Sequence, residues 1–269
     1  MPVTLEGGCR VSHMHDGAPL LEGTLRVWNQ VGRATGSQAI SLRVMEFAPG
    51  ISPAIRNDDC DEILYVLDSA SSDPAGDEVS TALVSGSVSL LIEGQSFEIG
   101  PDTGIYLRPN ETFAIDNGGA DSITVISSQC PDPDRSPQFV SALSAVPQSN
   151  ADAPLPIVRL ADQRAQPTAD RWYRVMVDDA IGSAQVTQFV GSIPPGRAPD
   201  HFHNYEEVLF ILRGEGLMWA GETNTPIAPG SCIYLPKGQA HCVENTGEGE
   251  LRLLGVFYPA GSPSVRYEV

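Results

Sequence analysis

The stretch DEILYVL at 61–67 returns as EEVLFIL at 206–212, and a chain that repeats itself folds as two copies of one unit. The flanks agree. SLRVMEFAPG (41–50) matches VTQFVGSIPPG (186–196), and GIYLRPNETFAIDNGG (104–119) lies over CIYLPKGQAHCVENTG (232–247). The offset is 145 residues between Glu62 and Glu207 but 128 between the two IYL segments, so the first copy carries 17 extra residues. The polar stretch DSASSDPAGDEVS after Leu67 is the expected insertion, a surface loop near 68–85. Residues 131–156 hold six prolines and read as the linker, with FVSALSAV as a short helical turn inside it. The expected units are 1–145 and 146–269.

Within each copy the apolar runs are short, β-branched and bounded by Gly, Pro, Asn and Asp: ILYVL, SVSLLIEG, SITVISSQ, then VLFIL, CIYLP, LRLLGVFYP. No helical pattern of 10–15 residues separates them, so the expected class is all-β, one barrel or sandwich per half. A content of 26 Gly and 22 Pro fits such a turn-rich chain. No apolar run approaches the roughly 18–20 residues of a membrane span. MPVTLEGGCR shows no basic region followed by an apolar one, and the five scattered cysteines form no CxxC, so a reducing, cytoplasmic setting is expected. A net charge of −18, with one lysine, Lys237, repels phosphate backbones and anionic lipid. Nucleic acid and membrane are therefore poor partners.

The second half alone carries a chemical constellation. His201 and His203 are two apart and share a strand face, and Glu207 is a further even step along. His241 follows a Pro-x-Gly turn in PKGQAHCVEN. Three imidazoles and a carboxylate suit one divalent transition metal, Fe, Mn, Ni, Cu, Co or Zn, and leave two positions of an octahedron open. VSHMHDG is a control within the chain: His13 and His15 have no carboxylate at strand spacing and no third histidine nearby, and read as an N-terminal strand or tail. Cys242, next to a proposed ligand, reads as a small buried hydrophobe on the opposite face.

The set Gly196, His201, His203, Glu207, Gly214, then Gly230, Pro236, Gly238, His241, Asn245 resembles the two-part signature of the cupins. The second part fits throughout, and the first departs only in having four residues between Gly196 and His201 instead of the usual five. The resemblance implies two double-stranded β-helix (jelly-roll) barrels, a bicupin, with one metal on His201, His203, Glu207 and His241. It makes Gly238 the sharp turn before the last histidine and Gly214 the close of a hairpin. Carried back to the first copy, the ligand positions are Arg56, Asp58, Glu62 and Phe113, so only the C-terminal barrel would work. Arg56 would either supply the missing positive charge to Asp58 or Glu62 or sit in an exposed loop. The first half is then scaffold, dimer surface or lid.

Fold does not choose the reaction. A metal-dependent enzyme on a small oxygen-bearing organic substrate is the first expectation, with dioxygenase chemistry ahead because two free positions suit substrate and dioxygen together. The alternatives are a metal-dependent isomerase, a hydrolase like the ureidoglycine aminohydrolases (bicupins whose metal motif departs from the one kept here), and a non-catalytic metal or small-molecule binder. Strand parity nominates Arg174, Gln188, Met218, Tyr234 and Phe257 as substrate contacts, with Arg171 and Trp172 as alternatives in RWYRVMV. Cupins commonly pair, which implies a homodimer.

Overall fold

A computed structural model describes residues 1–57, 59–67, 87–143, 154–265 and 267–268. The expected insertion near 68–85, Asp58 and the boundary at 145/146 lie outside these. Four antiparallel sheets make two jelly-roll barrels. The first barrel sets a seven-stranded sheet, which includes Leu42–Phe47, Asp61–Val66, Thr103–Leu107 and Ile123–Cys130, against a six-stranded one with Ala54–Arg56, Val88–Ile92 and Thr112–Asn117. The second sets an eight-stranded sheet, with Arg171–Val177, Thr187–Ile193, Glu206–Arg213, Ser231–Leu235 and Leu251–Tyr258, against a six-stranded one with His201–Phe202, Gly216–Ala220 and His241–Asn245. Gln138–Val140 is a strand, so the helical turn expected from FVSALSAV does not begin where the sequence suggested; pairing with Ala54–Arg56 overrides local propensity there.

Strand parity divides the side chains among three cores. In Glu206–Arg213, Leu209 and Ile211 join the interior of the second barrel. Val208, Phe210 and Leu212 point the other way, into a core shared with Ile63, Tyr65 and Tyr106 of the first. Leu64, Val66, Ile105 and Phe113 fill the first barrel's own interior. The two large sheets thus pack face to face and are buried on both sides, which is why their strands read as unbroken apolar runs.

The duplication is visible in matched hydrogen bonds. The Tyr106 hydroxyl donates to Asp61 at 2.7 Å, as Tyr234 does to Glu206 at 2.6 Å. Asn117 ties the carbonyls of Phe47 and Asp121, as Asn245 ties those of Ile193 and Gly249. Glu206 goes further: its carboxylate also accepts from the backbone amides of Gln38 (2.9 Å) and Ala39 (2.7 Å), so a buried charge in the second half holds a loop of the first. The barrels also exchange strands. Arg10–His13 pairs with Ser231–Leu235 at the edge of the second barrel, and Ile157–Arg159 pairs with Thr103–Leu107 at the edge of the first.

Candidate metal centre

The site is built where two turns bring one sheet's end against the other. His201, on the short strand His201–Phe202, lies directly across the ladder from His241, the first residue of His241–Asn245. Gly238 stands at φ +79°, a left-handed conformation that disfavours a side chain, and its N–H donates to the His203 carbonyl at 2.8 Å. That turn ties the second histidine to the segment leading to the third. Gly214, at φ +80°, closes the hairpin after Glu206–Arg213; an added Cβ there would lie 2.9 Å from backbone atoms of Glu250 and Leu251.

The ligating nitrogens of His201, His203 and His241 lie within 4.8 Å of one another. Glu207 joins from the large sheet, its Oε2 3.4 Å from His203 Nε2. Orientation is set from behind. His241 Nδ1 contacts the Gln239 carbonyl at 2.8 Å and His201 Nδ1 contacts that of Pro199 at 3.1 Å. A carbonyl only accepts, so each Nδ1 carries the proton and each Nε2 keeps its lone pair for the cluster. The Tyr205 ring stacks on His203 (centroids 4.8 Å, 12° between planes) and, on its other side, on Phe257 (4.6 Å, 22°). Burial pushes Glu207 up to about 8. Burial, and next His201, push His203 down to about 4 and His241 down to about 3. Burial, which disfavours the charged form of each group, is the largest cause of all three shifts, and repulsion from His201 adds to it for the two histidines.

Tyr205 was not singled out in the sequence, because its role is to wedge one histidine and nothing in its spacing says so. Tyr205→Leu is expected to weaken metal affinity about 10-fold by freeing the His203 ring, with the fold intact; competition against a chromophoric chelator measures this, and unchanged affinity would remove Tyr205 from the site.

Register corrects the assignment in the first barrel. There Ile55 lies across from Phe113 as His201 lies across from His241. The ligand positions of the first copy are therefore Ile55, Asn57, Glu62 and Phe113, one residue away from Arg56 and Asp58, and a one-residue shift in a strand reverses its face. Arg56 is exposed and donates to Asn110 at 3.2 Å, so it does not replace a cation for Glu62. Glu62 is instead satisfied by Ser127 (2.7 Å) and Gln129 (3.3 Å), while Asn57 caps the carbonyls of Cys60 and Arg108. In the second barrel the counterparts of Ser127 and Gln129 are Gly255 and Phe257, which offer Glu207 nothing. Extending the IYL alignment into ITVISSQC and LRLLGVFY exposes this exchange in the sequence.

A cavity of about 110 Å³ holds His201, His203, Glu207 and His241 in its wall. None of the five nominated substrate contacts lines it. Gln188 and Tyr234 point into the core between the barrels, Tyr234 bonded to Glu206 and Gln188 reaching the Leu64 carbonyl at 3.5 Å. Arg174 donates to the Leu160 carbonyl at 2.9 Å and lies over Trp172. Met218 and Phe257 do face inward but are packed within the second barrel's core. Arg171 and Trp172, the alternatives, line the cavity, with Tyr173, Phe189, Leu209 and Leu253.

Residues 189–257 match the cupin domain. Auxin-binding protein 1 of Arabidopsis thaliana is 34% identical over 86 residues, 28% of this chain and 43% of that protein. The oxalate-binding protein of Thermotoga maritima is 36% identical over 67 residues, 24% and 55% respectively. The chain thus spans about half the length of these curated relatives. A variant of oxalate decarboxylase from Bacillus subtilis superposes with a TM-score of 0.70 at 16% identity, covering 93% of this chain and 77% of that one. At that identity the likeness speaks for the fold. No helix among the described residues is long and apolar enough to cross a membrane.

Proposed function

This chain is a bicupin, a member of the cupin superfamily, and from that premise we propose that its C-terminal barrel is a metal-dependent enzyme for a small organic acid. His201, His203, His241 and Glu207 would hold one divalent metal. The observation that carries the reading is the convergence of those three imidazoles and that carboxylate in the wall of one cavity. The residues fit the group: two imidazoles have their protons fixed on carbonyls behind them, and Glu207 lacks the hydroxyl and amide that satisfy its counterpart Glu62. A metal held there would supply Lewis-acid polarisation of a substrate oxygen.

The chain's own residues do the rest. Leu209, Val243 and Leu253 give the cavity apolar walls that exclude water around the acid. Tyr205 and the two backbone carbonyls hold the imidazoles in place. An oxygen-dependent reaction is our first choice, with isomerisation or hydrolysis following if the ion is redox-inert. A second reading has its own support, because the relatives of Arabidopsis and Thermotoga are named for binding: the barrel would then hold its acid without turning it over. All five cysteines are free and buried, which supports a reducing compartment.

Elemental analysis of the purified chain, followed by oxygen uptake and product analysis across a panel of small carboxylic acids, tests the proposal. About one Fe, Mn, Ni, Cu, Co or Zn per chain with consumption of one acid is the expected result. Metal with tight binding and no turnover selects the binder; a chain that holds no metal after reloading under reducing conditions overturns both.

A further inference from the structure

We propose that Arg171 is a second anchoring point for the ligand, and that the ligand is an elongated dicarboxylate with one end at the His201, His203, His241 and Glu207 centre and the other on this guanidinium. The inference rests on the acid-binding reading above and specifies what kind of acid.

Arg171 lines the same cavity as the three histidines. Its side chain is only 15% exposed, and its Nε donates to Asp170 Oδ1 at 3.0 Å. Among the described residues that is its side chain's one hydrogen bond, so both Nη groups are uncommitted beside a cavity. A guanidinium's fork geometry suits a carboxylate taken by two parallel N–H donors. Asp170 is 63% exposed, so water screens it and it neutralises Arg171 only weakly. In a chain of net charge −18, an uncommitted guanidinium in the wall of that cavity favours an anion there.

The sheet fixes how far apart the two anchors are. Glu207 lies on Glu206–Arg213, which pairs with Leu251–Tyr258, then Thr187–Ile193, then Arg171–Val177. Three inter-strand steps amount to about 14 Å of backbone separation before curvature. The register adds to this, because Glu207 pairs across Phe257 to Thr187 at one end of that strand, whereas Trp172 pairs with Ser192 at its other end. Between the anchors the wall is apolar: Phe189, Leu209, Val243 and Leu253. The long side chains of Arg171 and Glu207 reach into the cavity from either end and shorten the gap a ligand has to bridge to well below that backbone separation, but two directly joined carboxylates, as in oxalate, still fall short of it. The geometry selects two carboxylates separated by a methylene chain that lies against those side chains.

Adipate and hexanoate share a chain length and differ by one carboxylate, so their relative affinity reads the second anchor. Isothermal titration of the metal-loaded full chain is expected to show adipate binding about 10- to 100-fold tighter than hexanoate. In Arg171→Gln the ratio should fall to about 1, with hexanoate affinity and metal content unchanged, and Arg171→Lys should restore part of the preference. Equal affinities in the wild type, or a preference that survives in Arg171→Gln, would overturn the assignment while leaving acid binding at the metal intact. Failure of both acids to bind the metal-loaded wild type would overturn the acid reading and this inference together.

Discussion

His203→Ala is expected to take the bound metal from about one equivalent per chain to less than about a tenth, while Phe113→Ala leaves it unchanged. His203 is buried, stacked under Tyr205 and in contact with Glu207, so its loss removes one of the four proposed ligands and strips the carboxylate of its neighbour. Phe113 occupies the place in the first barrel that His241 occupies in the second, and it is fully buried. Its truncation opens a cavity worth about 3–5 kcal/mol of stability. The pair therefore separates metal from stability: one variant loses metal at modest cost to the fold, the other loses stability and keeps its metal. Elemental analysis beside urea unfolding of both variants gives the answer. Metal retained by His203→Ala, or lost from folded Phe113→Ala, would mean that the wrong barrel has been chosen.

The next largest effect is expected one residue away from Glu207. Glu206→Ala should destabilise the chain by about 3–5 kcal/mol, because it leaves the amides of Gln38 and Ala39 and the Tyr234 hydroxyl without their buried partner. For a chain of this size that is a fall of roughly 6–15 °C in Tm. Glu206→Gln keeps an acceptor but not the charge and should lose about half as much. Metal binding by the folded fraction is expected to survive, since Glu206 and Glu207 point to opposite faces of one strand. Thermal and urea denaturation of both variants test the idea; a loss under about 1 kcal/mol for Glu206→Ala would show that Glu206 does not hold the two barrels together.

What could be read in the sequence depended on how local the signal was. The three histidines and Glu207 sit in two short segments whose spacing is chemically specific, and the structure brings the imidazoles together. The duplication was equally legible, because matched turns and strands repeat in order. Strand parity failed for Gln188, Tyr234 and Arg174 for a physical reason: the large sheet is apolar on both faces, so the hydrophobic pattern carries no inside and outside. The in-out sense had to come from Glu207 through the ladder, and register is invisible in one strand at a time. A loop one residue longer or shorter misplaced Arg56 and Asp58 in the same way. The strand exchange was out of reach, since nothing local in Arg10–His13 says that it pairs more than 200 residues away.

That exchange bears on why the copy without the three histidines persists at all. Each half finishes the other's sheet, Arg10–His13 for the second barrel and Ile157–Arg159 for the first. A gene split at the linker would yield two fragments, each lacking a strand it needs and offering one it cannot use. Such fragments have raw sheet edges and associate indiscriminately. Deleting the first copy is therefore not a small evolutionary step: it would have to be matched by a new edge for the surviving barrel and a new covering for the broad apolar face that the lost one had shielded. Ile55, Asn57 and Phe113 stand where the second copy has its three histidines, beside an intact Asp61–Tyr106 pair, so the first copy keeps the shape without the imidazoles.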